Sequence, residues 1–88
     1  MIRKPAKRIK EPTQNLIEYY EKNFVRNQRK WITRSKLTEE HLGAEFDLNG
    51  EKHKLLGTVK EDEVLVHNID TDEYFIMDID VPTNAILM

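Results

Sequence analysis

Between Leu42 and Val59 apolar and polar residues alternate, run into Asn49-Gly50, and resume on the far side. A period of two marks a strand with one buried face, and an Asn-Gly pair accepts the positive φ angles of a tight two-residue turn. The stretch therefore predicts a β-hairpin. Ala44, Phe46 and Leu48 fall on one face of its first strand, Glu45 and Asp47 on the other. The second strand, Lys52 to Val59, carries adjacent Leu55 and Leu56, and its Gly57 predicts a bulge or a sharp bend. A charged turn, Lys60-Glu61-Asp62-Glu63, leads into a third strand over Val64–Ile69. The turn Asp70-Thr71-Asp72-Glu73 leads into a fourth over Tyr74–Ile79. Apolar residues occupy both faces of these last two strands, which predicts a small curved sheet with a core on one side and a helix or a partner on the other. Pro82 is expected to close the fourth strand, leaving residues 83–88 as a single turn or a closing edge strand.

Upstream the period changes. Over residues 13–36, Leu16, Ile17, Tyr20, Phe24 and Trp31 recur at helical spacing and fall within one stripe of about 100°. Val25 and Ile32 widen that stripe on one side, and Lys22, Arg26, Arg29 and Lys30 gather on the opposite face. Pro12 blocks extension backwards, Thr13 or Asn15 can cap the start, and Asn15 and Glu18 stand at capping-box spacing. Ser35 to His41 reads as a connector with one short turn before Gly43. The fold class is then α+β: an N-terminal amphipathic helix followed by a four- to five-stranded antiparallel, strongly bent sheet, with residues 13–88 as one domain and the β-meander over 43–88.

Charge changes this picture more than composition does. The net charge of −2 divides into +8 over residues 1–36, with eleven Lys/Arg against three Glu, and −10 over residues 37–88, with three Lys against thirteen Asp/Glu. Residues 1–12 hold Arg3, Lys4, Lys7, Arg8 and Lys10 with two prolines and two isoleucines, too little apolar surface to recover the entropy of ordering. They are expected to form a flexible basic arm. A dipolar chain of this kind suits nucleic acid or an acidic partner at one end and a basic partner at the other, or equally a basic arm steadied by the chain's own acidic body. No apolar segment follows the basic start as in a signal peptide, and none is long enough to span a bilayer, so a soluble cytoplasmic protein is expected.

Residues that could make or break bonds are scarce. The chain has no cysteine, and its one serine, Ser35, lies at a basic helix end without a glycine-rich elbow. His41, His53 and His67 are not spaced as metal ligands on any one element. Asp70-Thr71-Asp72 opens like a calcium loop, but Phe75 stands where glycine is needed and Val81 where the bidentate glutamate belongs. Glycine-rich phosphate cradles are absent too. The expectation is a non-enzymatic protein without cofactor or metal.

The pattern Leu42-Gly43-x-x-Phe46-x-x-Asn49-Gly50-x-x-x-x-Leu55-x-Gly57, followed by two more strands, resembles the small SH3-like β-barrel modules of short phage-encoded and related bacterial proteins. The resemblance covers about half the chain and rests on structural positions. It implies a barrel or strongly bent sheet, a phage or mobile-element origin and, with it, a place in the host-cell cytoplasm. Barrels of the Tudor and KOW types bind peptides or nucleic acid, but no aromatic cage or binding motif of theirs is present to carry over.

Two functions are therefore expected in competition. In the first, the protein is an interaction module or inhibitor acting on a nucleic-acid-handling host protein, and Glu45, Asp47, Glu61, Asp62, Glu63, Asp70, Asp72 and Glu73 meet a basic groove. In the second, Arg3, Lys4, Lys7, Arg8, Lys10, Lys22, Arg26, Arg29 and Lys30 bind RNA or DNA through phosphate, with Trp31 or Tyr19 stacking on a base.

Overall fold

The structure, a computed structural model, describes residues 6–34, 36–60 and 62–87, and from residue 29 to the end of its long helix it describes the backbone alone. In chain order the elements are β1 (Lys7–Ile9), α1 (Gln14–Arg34), a 3-10 turn (Glu39–His41), β2 (Glu45–Leu48), β3 (Glu51–Lys60), β4 (Glu63–Asn68), β5 (Glu73–Asp78) and α2 (Asp80–Leu87). The strands form one antiparallel sheet in the order β1-β5-β4-β3-β2. The sheet is open, with β1 and β2 at its edges. The α+β class and the antiparallel meander over β2–β5 agree with the expectation from sequence, but α1 follows a short strand instead of opening the fold, and that strand supplies the sheet's fifth member.

The hairpin forms where alternation and turn chemistry place it. Asn49 and Gly50 take φ values of 55° and 82°, and Phe46 pairs with His53 across the two strands. Phe46, Leu55, Val64, Val66, Met77 and Ile79 pack into the core, which Phe24 of α1 and Leu37 of the connector join. Val81, Ala85 and Ile86 of α2 close over it, against β2 and β5.

Gly57 marks both a register shift and a close approach. The pairing of β3 with β4 slips between Leu55 and Gly57 and again between Thr58 and Lys60. Thr58, fully buried, has its hydroxyl within hydrogen-bond reach of the carbonyls of Lys60 and Glu63 at this irregularity. Gly57 lies in register with Leu65, and Leu65 with Ile76, so these three share one face of the sheet. On that face a Cβ at Gly57 would stand 2.5 Å from the carbonyl carbon of Tyr20, so the backbone of α1 lies directly on the strand. Leu65 is fully buried on this side while Leu55 and Val66 are buried on the other, so the sheet is apolar on both faces as the sequence predicts.

Thr13, not Asn15, caps α1: its Oγ1 accepts the Leu16 N–H at 3.2 Å and its carbonyl the Ile17 N–H at 3.0 Å. Two expectations need correction. Part of the segment expected to be a flexible arm forms β1, because the outer edge of β5 offers it a ladder. Lys7, Arg8 and Ile9 pair with Ile76, Phe75 and Tyr74, and Arg8 Nε reaches Glu73 at 3.1 Å. Residues 1–5, with Arg3 and Lys4, lie outside the described residues. The end of the chain is a helix, neither a turn nor an edge strand. Pro82 sits in the first turn of α2, where a missing N–H breaks no helical bond. Asp78 Oδ1 accepts the Asp80 N–H at 3.0 Å, and the Thr83 N–H opens the helical ladder to the Ile79 carbonyl at 3.2 Å.

Candidate interaction surface

The helical period that buries Phe24 leaves one flank of α1 only partly covered. Ile17 is half-buried, Glu21 is exposed, and Val25, four residues further on, retains 37% of its surface. Lys22 and Arg26, also at i,i+4, run beside them and are exposed. The chain leaves the 3-10 turn through Leu42 and swings into the sheet at Gly43, whose φ of 80° is a left-handed value that glycine takes without strain. Gly43 and Ala44 then exchange backbone hydrogen bonds with Leu55. This brings Leu42 against the flank of α1 and opens two adjoining depressions. One, about 380 Å³, is lined by Glu21, Lys22, Val25, Arg26 and Leu42. The other, about 390 Å³, lies between Gln14, Ile17 and Glu21 on the helix and Leu42, Lys54 and Leu56 below it. Glu21 and Leu42 line both, so they form one groove.

The basic residues singled out in the sequence are split between two places. Lys7 and Arg8 are in β1 and Lys10 follows it, whereas Lys22 and Arg26 border the groove. The side chains of Arg29, Lys30 and Trp31 lie outside the described residues. Among the described residues, Lys22 and Arg26 make no ion pair, while Arg8 is held by Glu73.

The acidic residues do not assemble into one patch. Asp62 and Glu63 flank the β3–β4 turn, and Asp70, Asp72 and Glu73 sit at the other end of β4. Several already have partners within the chain. Glu45 is 3.8 Å from Lys52, Glu63 is 3.7 Å from Lys60, and Asp70 Oδ2 accepts the Lys52 N–H at 2.7 Å. Asp47 is exposed opposite Lys52. Glu61 lies outside the described residues.

The three histidines have local structural partners. His41 Nδ1 accepts the Thr38 N–H at 2.9 Å and closes the 3-10 turn. His53, 5% exposed, stacks on Phe46 and directs Nδ1 at the Glu51 carbonyl, 2.9 Å away. His67 stacks on Tyr74 with ring centroids 4.4 Å apart and meets Asp72 Oδ1 through Nε2 at 2.8 Å. Asp72 takes a φ of 57° in this tight turn. Among the described residues no three His, Asp or Glu side chains come together as a metal site.

No known protein family, curated protein or solved structure matches this chain. Its surface must therefore be read from its own residues. The groove offers an apolar floor, with Val25, Leu42 and Leu56, under a rim carrying more positive than negative charge. The sequence pointed to Lys22 and Arg26 but placed Val25 with the buried stripe and gave no sign of Lys54, whose position under α1 depends on how the helix crosses β3. Among the described residues no helix is long and apolar enough to cross a membrane.

The ring stack at β4–β5 gives a testable pH dependence. Burial, then the nearby carboxylates of Glu11 and Asp72, raise the Tyr74 phenol above its usual 10.0. The folded state thus favours the protonated ring. This contribution is complete below the unfolded pKa of about 10 and is lost as pH rises through the folded value. Thermal melts taken from about pH 8 to about pH 11 should show a smaller loss of Tm in Tyr74→Phe than in the parent. Equal losses would assign the alkaline sensitivity elsewhere.

Proposed function

We propose that the protein is a small non-enzymatic interaction module that binds an acidic, partly apolar segment of a partner protein along the flank of α1. The observation that carries this reading is the continuous groove from Gln14 to Arg26, where the exposed Val25 lies between the apolar Leu42 and the cations Lys22 and Arg26, which form no ion pair among the described residues. Apolar surface supplies the driving force, and charge selects the partner and its orientation. Phosphate backbone needs the cations but has no use for an apolar floor. The acidic sheet is a weaker docking surface, since Glu45, Glu63, Asp72 and Glu73 are engaged within the molecule.

The open antiparallel sheet is compatible with the SH3-like module that the Leu42–Gly57 pattern resembles. A bent, SH3-like form and a nucleic-acid-handling host protein as the partner belong to the same proposal. A phage origin rests on that resemblance alone.

The competing reading is RNA or DNA binding through Lys22 and Arg26, and one observation favours it: Tyr19, 54% exposed on the same helix, is available to stack on a base. Fluorescence anisotropy separates the two. The probes are labelled amphipathic peptides with leucine on one face and glutamate, glutamine or lysine on the other, together with single-stranded RNA and duplex DNA, each at low and high salt. The glutamate peptide should bind in the micromolar range and weaken at least tenfold with Val25→Ser or Arg26→Glu. Salt-sensitive RNA or DNA binding abolished by reversing Lys22 and Arg26, with no peptide binding, would replace this function by the second.

A further inference from the structure

Lys54 lies in the floor of the groove, half-buried, in β3 beneath the first turns of α1. Its Cε is 3.8 Å from the point where a side chain at Gly43 would begin, so the bare backbone there leaves room for the lysine stem. Among the described residues no carboxylate forms an ion pair with it. Glu45, its cross-strand neighbour, has its Oε1 3.8 Å from the Lys52 ammonium. His67, its neighbour on β4, is turned to Asp72. Glu21 lines the same depression from α1, and among the described residues it forms no ion pair with Lys54. Leu42, Leu56 and Ile17 line the apolar part of the same depression.

A half-buried lysine lays its aliphatic stem along apolar surface while its ammonium head stays in reach of solvent. An anion that entered would meet it in a setting of lower dielectric than the open surface, where a charge-assisted hydrogen bond is worth more. We infer that Lys54 is the carboxylate-binding subsite of the groove: it receives an aspartate or glutamate side chain of the bound segment while Val25 and Leu42 receive its apolar residues. This deepens the proposed function and rests on it.

Geometry sets the size of the occupant. From Gln14 to Arg26 the helix rises about 18 Å, so the groove accommodates about five extended residues or three turns of helix. The rim cations Lys22 and Arg26 lie towards one end and Lys54 towards the other, with Glu21 between them. A matching segment carries acidic residues at both ends and apolar ones between. Glu21 disfavours a carboxylate at the middle, which fixes the register.

The test uses the full chain and amidated twelve-residue peptides, so that a peptide terminus cannot supply the carboxylate. One peptide carries leucines flanked by glutamates, and its counterpart has glutamine at the same positions. Lys54→Met should weaken the glutamate peptide about tenfold and leave the glutamine peptide unchanged, and Lys54→Arg should restore most of the loss. Circular dichroism melts check that both variants fold. If Val25→Ser weakens binding but Lys54→Met does not, the groove binds its partner without this subsite and the inference fails alone. If neither changes binding, the groove itself fails. Loss of binding to a labelled oligonucleotide in Lys54→Met, with peptide binding unaffected, would assign the lysine to phosphate contact and overturn it.

Discussion

Replacing Gly57 by alanine should destabilise the protein by about 3 kcal/mol, the upper part of the range for an overpacked interior. The added methyl would lie 2.5 Å from the carbonyl carbon of Tyr20, 2.6 Å from its oxygen and 2.8 Å from the Glu21 nitrogen. All three are backbone atoms, so no rotamer change relieves the clash. Carbon atoms pack at about 3.5–4.0 Å, so the helix must withdraw by about 1 Å along its contact with β3. That movement loosens the packing over Leu65, which is fully buried on the same face. Net stabilities of small domains are about 0.05–0.15 kcal/mol per residue, so the loss is a large share of the total. Urea denaturation of the variant gives the measurement. A loss below about 1 kcal/mol would mean that α1 does not rest on the strand at Gly57.

Phe24→Ala should be comparably severe, about 3–5 kcal/mol, by removing a fully buried ring and leaving a cavity where α1 joins the core. Phe24 is the side chain of α1 that reaches the buried cluster of Leu37, Leu55 and Val64 among the described residues. Tyr19→Ala on the exposed face is the control and should change stability by no more than about 0.5 kcal/mol. The denaturant slope adds a second readout. An unchanged slope means a local cavity, whereas a lower slope means that α1 has already left the sheet before global unfolding. A small loss for Phe24→Ala with an unchanged slope would show that the helix is held elsewhere.

What the sequence disclosed follows from the range of the forces involved. The hairpin was legible because Asn49-Gly50 chooses its turn locally and Phe46 and Leu48 choose its face. The helix was legible from the spacing of Ile17, Tyr20 and Phe24, and its start from Pro12 and Thr13. β1 was not, because Lys-Arg-Ile has no strand signal of its own and gains its structure from Tyr74, Phe75 and Ile76 at the far end of the chain. α2 was obscured because Pro82 ends a helix from within but is harmless in its first turn, and nothing local distinguishes the two positions. Gly57 announced a bulge, which the register shift bears out, but its contact with Tyr20 depends on where the helix lands.

The candidate groove was only half visible for the same reason. Lys22, Arg26 and Val25 share a helix, so their proximity follows from the pitch. Leu42 and Lys54 join them only after the chain turns at Gly43 and β3 passes beneath α1. The acidic residues divide instead: Asp62 and Glu63 stand at one end of β4, while Lys52 brings Asp47 beside Asp70 at the other, a pairing of distant stretches that the sequence does not show.

The pairing of β1 with β5 also sets an order of assembly. A ribosome delivers Lys7–Ile9 early, but their hydrogen-bond partners are among the last residues of the sheet to be made. The first strand in the chain is consequently a late arrival in the sheet, and closing so long a loop slows its return. Until it docks, the outer edge of β5 is unpaired and open to the corresponding segment of another copy. Crowded synthesis is thus the circumstance in which strand exchange between chains competes with completion of the fold.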